Sequence, residues 1–312
     1  MNLRQLRHFV SAVEYRSINQ AAVFEHVTQP TLTRSIHNLE SRLGITLLER
    51  GPRGVTPTRY GQLLVERARL IINESRNVLE ELEAMRIGRT GHVRLGIATS
   101  TAGDSVGSAL AALLAERPSL KLTLDVGFPE QHFSRLKSGE LDATITGRPA
   151  SDDLGADLIF ESLISFDLVI LASAQHPLAK QTKMLSKDQL VSCNWAVQNQ
   201  PGATEFYNAM LRTKPKTRDP LRVQCNSSAM IRSLLLHGDF VTLLAPSTVE
   251  EDIRTGRLVV LKTDLLPIKV DLCTVMRAGT VPTAALRTCL DRLKLALGNG
   301  TARRPRKLKP SG

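Results

Sequence analysis

Side chains able to read DNA bases cluster in one short stretch of the chain, which carries Gln29, Thr31, Thr33 and Arg34. Glutamine can pair with adenine and arginine with guanine, while threonine offers a hydroxyl or a methyl group to a base edge. The formal net charge of +11 and the isoelectric point near 9.9 favour a polyanionic partner. The cations of residues 1–70 are all arginine, which suits bidentate contacts with phosphate and guanine. Double-stranded DNA is therefore the predicted partner.

Capping signals and apolar periodicity predict three helices around these side chains. Asn2 and Ser17 begin the first two, each followed by a glutamine in the first turn, and Thr28 begins the third with Pro30 in its first turn. Apolar residues of the third helix recur on one stripe, and Gly44 ends it. A short helix, a tight turn and a longer helix with a polar outer face form a helix-turn-helix. Its second helix enters the major groove by its N-terminal end.

A hairpin is predicted after the third helix. Short extended runs at 45–50 and 55–58 flank a turn rich in glycine, and this wing would hold Arg50 and Arg53 beside the DNA backbone or minor groove. Either arginine alone could equally be a solvated surface charge. The predicted DNA contacts of this winged helix-turn-helix, residues 1–58, are Ser17, Thr28, Gln29, Pro30, Thr31, Thr33, Arg34, His37, Asn38, Arg50 and Arg53.

The N-terminal segment resembles the LysR-type transcriptional regulators. The resemblance rests on the segments FVSAV at 9–13, SINQAA at 17–22, TQPTLTRSI at 28–36, LGITLLER at 43–50 and TPTRYG at 56–61. Length and domain order suit the family across essentially the whole chain. Thr33 stands where serine is more usual and keeps the hydroxyl group. The resemblance implies a sequence-specific regulator of transcription that forms dimers, usually paired further into tetramers.

Residues 59–90 predict a long connecting helix and a hinge. The segment 60–87 contains no proline, and its apolar positions alternate steps of four and three, which is a heptad seam. We expect a coiled-coil dimer that presents two recognition helices to two half-sites, with the hinge at 88–91. The alternative is that the seam packs against its own domain. The expected dimer contacts are Leu64, Ala68, Ile71, Val78, Leu82 and Met85.

Strands and helices alternate after Gly91, which favours an α/β effector domain over 91–300 with parallel strands and right-handed crossovers. We expect strands at 92–98, 120–127, 141–146, 167–172, 195–198, 221–224, 240–244 and 270–276. The expected helices lie at 104–116, 129–137, 204–212, 228–237 and 284–297.

Two subdomains are expected in the effector domain. The chain would cross near 160 and return near 267, so that 91–160 and 268–300 form subdomain I and 161–267 forms subdomain II. Such a double crossover resembles the periplasmic binding proteins, the fold that the family resemblance implies. The predicted fold class is therefore α+β and multidomain. Prolines and like charges at 301–312 predict a disordered basic tail.

Ligands of open α/β sheets collect beyond the carboxyl ends of the strands. Two helix N-termini and one arginine are expected to converge there, which suits an anion, so we expect a small carboxylate or a similarly acidic effector. For each hydroxyl group, an ordinary helix cap is at least as good an interpretation. The expected effector contacts are Thr99, Ser100, Thr101, Phe128, Thr146, Gly147, Arg148, Gln198, Pro201, Asn226 and Ser227.

Two other functions stay open at this point. Cys193 and Cys225 could form a redox pair in a regulator of the same architecture, although the scattered cysteines favour incidental thiols. Gly103 to Gly107 match the G-x-S-x-G pattern of serine hydrolases, but Ser105 is expected inside a helix rather than on a sharp turn, so no enzyme is predicted. The histidines lack metal-ligand spacing, and neither a metal nor a cofactor is expected.

The apolar runs of the chain are too short to span a bilayer, and its N-terminus lacks a signal-peptide pattern. These features predict a cytoplasmic location without a membrane partner. The expected partners are promoter or operator DNA, a small-molecule effector and further copies of the chain. RNA polymerase is a further candidate partner.

Overall fold

The computed structural model describes residues 1–51, 54–86, 91–148, 156–198, 207, 220–263, 265 and 268–302, and of residues 268 and 299–302 only the backbone. The chain divides into two compact units, Met1–His92 with Phe133–Asp142, and Val93–His132 with the chain from Ala143 onward. Outside the described residues lie Arg53, Pro201, the predicted hinge except Gly91, the predicted helix at 204–212 except Tyr207, and the predicted tail beyond 302.

Three helices and a hairpin open the first unit: α1 (Leu3–Tyr15), α2 (Ile18–Phe24), α3 (Gln29–Leu43), β1 (Leu48–Gly51) and β2 (Gly54–Pro57). The caps are those that the sequence predicts. Asn2 forms a reciprocal capping box, Ser17 and Thr28 each accept a backbone N–H from the following turn, and Gly44 ends α3 at a φ of 69°. The inward stripes of the helices meet in one apolar core.

Helix α4 (Arg59–Arg86) follows the wing. Its first turns pack against the helices and the wing, while its later turns leave apolar side chains exposed. Ala68 is fully buried in the core of the winged helix-turn-helix, and Leu64 packs against the same core. Ala68 is therefore closed to a partner in this conformation, because α1 and the wing cover the first turns of α4, whereas the half-buried Leu64 stays a prediction. The later positions Ile71, Val78 and Leu82 are 41%, 51% and 58% exposed. Met85 is 75% exposed, so an uncovered apolar stripe remains.

The effector domain contains nine strands and six helices among the described residues. The strands are β3 (His92–Ala98), β4 (Lys121–Gly127), β5 (Ala143–Gly147), β6 (Leu158–Ser173), β7 (Asn194–Gln198), β8 (Leu221–Cys225), β9 (Phe240–Leu244), β10 (Leu258–Val260) and β11 (Ile268–Arg277). The helices are α5 (Asp104–Glu116), α6 (Pro129–Lys137), α7 (Lys187–Val191), α8 (Ser228–His237), α9 (Glu250–Arg254) and α10 (Ala284–Ala302). Short 3-10 turns lie at Pro177–Lys180 and Pro246–Thr248. Helix α10 runs two residues into the segment predicted as a tail.

These strands form one sheet in the order β4-β3-β5-β11-β6-β9-β7-β8, with β10 paired to β6. Strand β3 runs parallel to β5, and β7 runs parallel to β8 and β9. Strand β11 is antiparallel to both of its neighbours, and β6 is antiparallel to β9. The prediction of a parallel sheet is therefore wrong at the centre, where the two crossing strands pair with each other.

Strand β6 belongs to both halves of the sheet. Its residues 158–168 pair with β11, and its residues 169–172 pair with β9. The strand predicted at 167–172 is thus only the second part of a longer one. The first part escaped prediction because its polar residues, among them Glu161, Ser162 and Ser165, interrupt the apolar ones without a regular alternation.

Three apolar clusters hold the second unit together. One lies between the sheet and helices α5 and α10, around Leu95, Leu113 and Leu293. The other two hold the second half of the domain, around Trp195 and around Ile231. Within the described part of the chain, no helix is both long and apolar enough to cross a membrane.

Candidate DNA-binding surface and effector cleft

The N-terminal end of α3 presents the polar face that the sequence predicts to read DNA. The first turn of α3 is described in full and holds no acidic side chain. The positive end of the helix dipole and Arg34 therefore reinforce each other at this surface. Its predicted contacts are Gln29, Pro30, Thr31, Thr33, Arg34, His37 and Asn38, all exposed except the half-buried Thr33.

Hydrogen bonds order the side chains of this face before DNA is bound. The amide nitrogen of Gln29 donates to the Thr33 hydroxyl at 3.1 Å, and the Thr28 and Thr31 hydroxyls lie 2.8 Å apart. Thr28 Oγ1 also accepts the backbone N–H of Thr31 at 3.4 Å, as the cap of the helix. The Gln29 amide keeps its second N–H and its carbonyl oxygen, which are the two groups that pair with adenine, while the bond to Thr33 holds the side chain in place.

The wing is an antiparallel hairpin of β1 and β2. Glu40 fixes its start, because its Oε1 accepts the N–H groups of two successive residues at 2.7 and 3.2 Å. Arg50 is exposed on β1 and is the cross-strand partner of Val55. The wing thus carries one of its two predicted cations at the surface, and Arg53 lies outside the described residues.

Arg16, which the sequence analysis did not single out, joins the wing to the helices. Its carbonyl oxygen accepts the N–H of Val55 at 3.0 Å, and a Cβ at Gly54 would lie 2.2 Å from that oxygen. Arg16 ends α1 in the left-handed conformation, at a φ of 49°. Ser17 follows as the cap of α2 and accepts the Gln20 N–H at 3.3 Å. The sequence gives no signal for this junction, because no local residue pattern predicts an arginine with a left-handed backbone conformation.

The loop after β3 holds the first group of predicted effector contacts. Thr99 and Ser100 are half-buried, whereas Thr101 is 8% exposed and its hydroxyl has no hydrogen-bond partner among the described residues. The Ser228 hydroxyl donates to the Thr99 carbonyl at 2.9 Å, and the Thr248 hydroxyl donates to the Ser100 carbonyl at 3.4 Å. Hydroxyl groups from the second half of the domain therefore already hold this loop.

The second group lies at the ends of β7 and β8. Gln198 is 5% exposed and donates from Nε2 to the Ser228 hydroxyl at 2.7 Å, so Ser228 connects Gln198 to the loop after β3. Asn226 and Ser227 are exposed. The Ser227 hydroxyl accepts the Met230 N–H at 3.2 Å and is the cap of α8. The cap interpretation thus describes Ser227 in this conformation.

The third group lies around the end of β5. Arg148 has an exposed side chain, and its backbone N–H donates to the Asp271 carbonyl at 2.7 Å. Gly147 is half-buried, and so is the remaining predicted contact, Phe128, which follows β4 rather than β5. Thr146 is only 1% exposed on β5, which lies between β3 and β11 in the sheet. In this conformation Arg148 is accessible to a ligand and Thr146 is not.

Two family models match the chain along its length. The model described as the LysR substrate binding domain matches residues 86–297, which is more than half of the chain. The model described as the bacterial regulatory helix-turn-helix protein of the lysR family matches residues 3–62. The chain belongs to the LysR family. It is a LysR-type DNA-binding regulator of transcription with an effector-binding domain, as the sequence predicts.

Relatives and solved structures agree with the LysR assignment. The chain is 29% identical over 299 residues to the HTH-type transcriptional regulator CbbR of Rhizobium meliloti (strain 1021), covering 96% of this chain and 94% of CbbR. Full-length CbnR complexed with its target DNA is similar at a TM-score of 0.63 and 19% identity, covering 96% of this chain and 100% of CbnR. Full-length LysG of Corynebacterium glutamicum with bound effector Arg gives a TM-score of 0.63 at 17% identity, covering 96% and 99%. The predicted fold class is confirmed.

The redox alternative for this LysR regulator fails on geometry. Cys225 ends β8 opposite Gln198 in the parallel pairing, whereas Cys193 precedes the first residue of β7. Cys193 therefore lies five residues of extended strand before the position opposite Cys225, which is roughly 16 Å along the strand. A disulfide needs its two Cα atoms within about 7 Å. Burial and Asp239 also raise the pKa of the Cys193 thiol to about 11, which disfavours the reactive thiolate. A Cys193–Cys225 pair therefore does not form in this fold.

Ser105, the nucleophile of the hydrolase alternative, lies inside α5 as the sequence predicts. It is 9% exposed, and its hydroxyl donates to a carboxylate oxygen of Glu250 at 3.1 Å. A helical serine that donates to a carboxylate lacks the sharp strand-to-helix turn that exposes a nucleophile. Among the described residues, no group of histidine, cysteine and acidic side chains could hold a metal ion.

Proposed function

We propose that the segment 29–34 reads operator bases in the major groove, while Arg50 and Arg53 contact the backbone or minor groove beside it. One observation carries this proposal: the exposed N-terminal end of α3 combines a free helix dipole, base-pairing side chains and Arg34. Ser17, His37 and Asn38 would then set the register through phosphate contacts.

Replacement of Arg34 tests the reading face. Arg34→Ala should weaken specific binding by about 1–3 kcal/mol and relax the preference at one base pair, because a bidentate base contact is lost. The control is Arg42→Ala, which removes a cation from the last turn of the same helix. Binding should be compared on a duplex that the wild-type protein selects from a random pool. Unchanged affinity and base preference for Arg34→Ala would contradict the assignment.

LysR regulators form oligomers, and we propose that a second copy of this chain covers the apolar stripe of α4. The stripe consists of Ile71, Val78, Leu82 and Met85, which are exposed and recur at heptad spacing. Leu82→Glu should lower the molar mass in solution, since a buried charge at a seam position is costly. Arg76→Glu places the same charge on an exposed site away from the stripe and should leave the mass unchanged. Pairs of dimers would form a tetramer.

We propose that the effector is a small anion, such as a carboxylate, held in the cleft near Arg148. The exposed guanidinium of Arg148 and the unpartnered Thr101 hydroxyl support this class of ligand. A panel of small carboxylates and their amides should be screened by thermal unfolding. Carboxylates should raise the midpoint in the wild type and not in Arg148→Gln, whereas Arg222→Gln, at an exposed site on β8, should behave as the wild type. Stabilisation by amides alone would contradict an anionic effector.

We further propose that effector binding changes the arrangement of paired DNA-binding heads, and through them promoter occupancy or DNA bend. The domains of this switch would be 1–58, 59–90 and 91–300, with subdomain II at 161–267. The protein would act in the cytoplasm, where bacterial promoters and RNA polymerase are found. No enzymatic activity is proposed, and labelling of Ser105 by a serine-reactive probe would overturn that view.

A further inference from the structure

Arg16 has a backbone conformation that arginine rarely adopts. Its φ of 49° lies in the left-handed region, where glycine is the usual residue because a Cβ is unfavourable there. The position must turn in this way, since α1 ends at Tyr15 and the cap of α2 is the next residue after Arg16. Arginine therefore occupies a site where glycine would fit the backbone better. Strained positions of this kind concentrate at functional sites.

The backbone of Arg16 extends the wing by one further segment. Val55 of β2 pairs with Arg50 of β1 on one side and donates its N–H to the Arg16 carbonyl at 3.0 Å on the other. Gly54 is required beside it, because a Cβ there would lie 2.2 Å from the same carbonyl oxygen. The backbones of Arg16 and Arg50 thus lie on opposite sides of β2, separated by two strand spacings or about 10 Å.

The charge of Arg16 is not neutralised within the protein. Among the described residues, no carboxylate forms an ion pair with it, and its side chain is exposed. Glu14, the nearest acid in sequence, is paired with Arg69 at 3.0 Å. An uncompensated guanidinium therefore stands at the junction of α1, α2 and the wing.

We propose that Arg16 is a phosphate-binding residue of the DNA-binding surface, which holds the DNA backbone beside the wing while its own carbonyl holds the wing in place. The proposal rests on the reading face proposed above, because that face sets which side of the unit meets DNA. A phosphate contact carries no base information, so Arg16 would contribute to affinity on any sequence and not to base preference.

Arg16→Gly separates the charge from the backbone geometry. Glycine keeps the left-handed turn and the carbonyl that accepts from Val55, but removes the guanidinium. Arg16→Lys keeps a positive charge, and Arg42→Ala removes a cation at the far end of α3. The full-length variants should be titrated by fluorescence anisotropy with the selected duplex and with a scrambled duplex, over about 50–200 mM salt.

For Arg16→Gly we expect an affinity lower by about 3–10-fold on both duplexes, with the log–log salt slope smaller by about one for each DNA-binding head. Its thermal midpoint should equal or exceed that of the wild type. Arg16→Lys and Arg42→Ala should keep the wild-type slope. An unchanged slope for Arg16→Gly would overturn the proposal, as would an equal loss of slope in Arg16→Lys. Failure of the reading face is a separate result, since it appears as unchanged base preference in Arg34→Ala.

Discussion

The side-chain amide of Asn73 donates to the carbonyl oxygen of Ser138 at 2.7 Å, with both residues buried in the first unit. Asn77, one turn further along α4, donates to the carbonyl of Gly139 at 3.4 Å. These two amides bond the carbonyl groups of the two residues that follow α6. At 100° per residue, Asn73 lies about half a turn away from the exposed stripe of α4. One face of α4 is thus engaged within the unit, while the stripe from Ile71 to Met85 on the opposite side stays exposed.

Removal of the Asn73 amide should destabilise the first unit. In Asn73→Ala the buried Ser138 carbonyl loses its partner, and the free energy of unfolding should fall by about 1–3 kcal/mol. Denaturant unfolding followed by circular dichroism measures this loss. Arg76→Ala, at an exposed site on the same helix, should change it by less than about 0.5 kcal/mol. Equal effects of the two substitutions would show that the bond contributes nothing specific.

Gly54 and Gly51, at the two ends of the wing turn, should respond differently to alanine. Gly54 has a φ of 98°, and a Cβ there would lie 2.2 Å from the Arg16 carbonyl oxygen. A Cβ at Gly51 would have no neighbouring atom within 4 Å. Gly54→Ala should therefore displace the wing, costing about 1–3 kcal/mol of stability. Its DNA affinity should also fall, while Gly51→Ala should bind and unfold as the wild type. Similar DNA binding by both variants would rule out the wing contact with Arg16 as a structural requirement.

His8 should make the stability of the protein depend on pH. Burial lowers the pKa of this imidazole from its ordinary value of 6.5, assisted by Arg4 and Arg7, although Glu25 acts in the opposite direction. The unfolded chain then binds a proton more readily than the folded one. The contribution of neutral His8 to the free energy of unfolding is complete above pH 6.5, and it is lost as the pH falls through the pKa of the folded state.

The test compares the wild type with His8→Gln in unfolding experiments between about pH 5 and pH 8. One linked proton gives a slope of at most about 1.4 kcal/mol per pH unit, so His8→Gln should show a shallower decline on the acidic side. His176, whose pKa burial also lowers, keeps its contribution in both proteins. Identical acidic slopes for the two proteins would exclude His8 as a linked group.

Oxidation should leave Cys193 and Cys225 unpaired in the folded protein. Their levels on the parallel strands β7 and β8 are too far apart for a disulfide, and the raised pKa of Cys193 slows its oxidation. After treatment with diamide, peptide mass mapping should find both thiols free. A disulfide between Cys193 and Cys225 in a protein that keeps its native circular dichroism spectrum would support the redox interpretation again.

Local features of the first unit could be predicted because the signals lie within a few residues of one another. Thr28, Pro30 and Gly44 bound α3 through capping chemistry that needs no distant partner. The apolar stripe of the same helix then defines its polar face. The proposed reading residues followed from that face, and the family match agrees with the module to which they belong.

Features that depend on distant pairing could not be predicted. Thr146 ends the strand predicted at 141–146, and its burial appears only in the fold, where β5 lies between β3 and β11. Ala68 fits a heptad seam, yet α1 covers it. Arg16 acquires its position from Gly54 and Val55, which are remote in sequence. In each case the deciding neighbour lies far away in the sequence.

Strand β6 has a consequence for exchanging parts between relatives. Its sixteen residues pair with β11 over the first part and with β9 over the second, so a single strand completes both halves of the sheet. A chimera joined within 158–173 must satisfy two sets of partners inherited from different parents. Functional hybrids should therefore exchange the whole effector domain as one cassette, and recombination is expected to spare its interior.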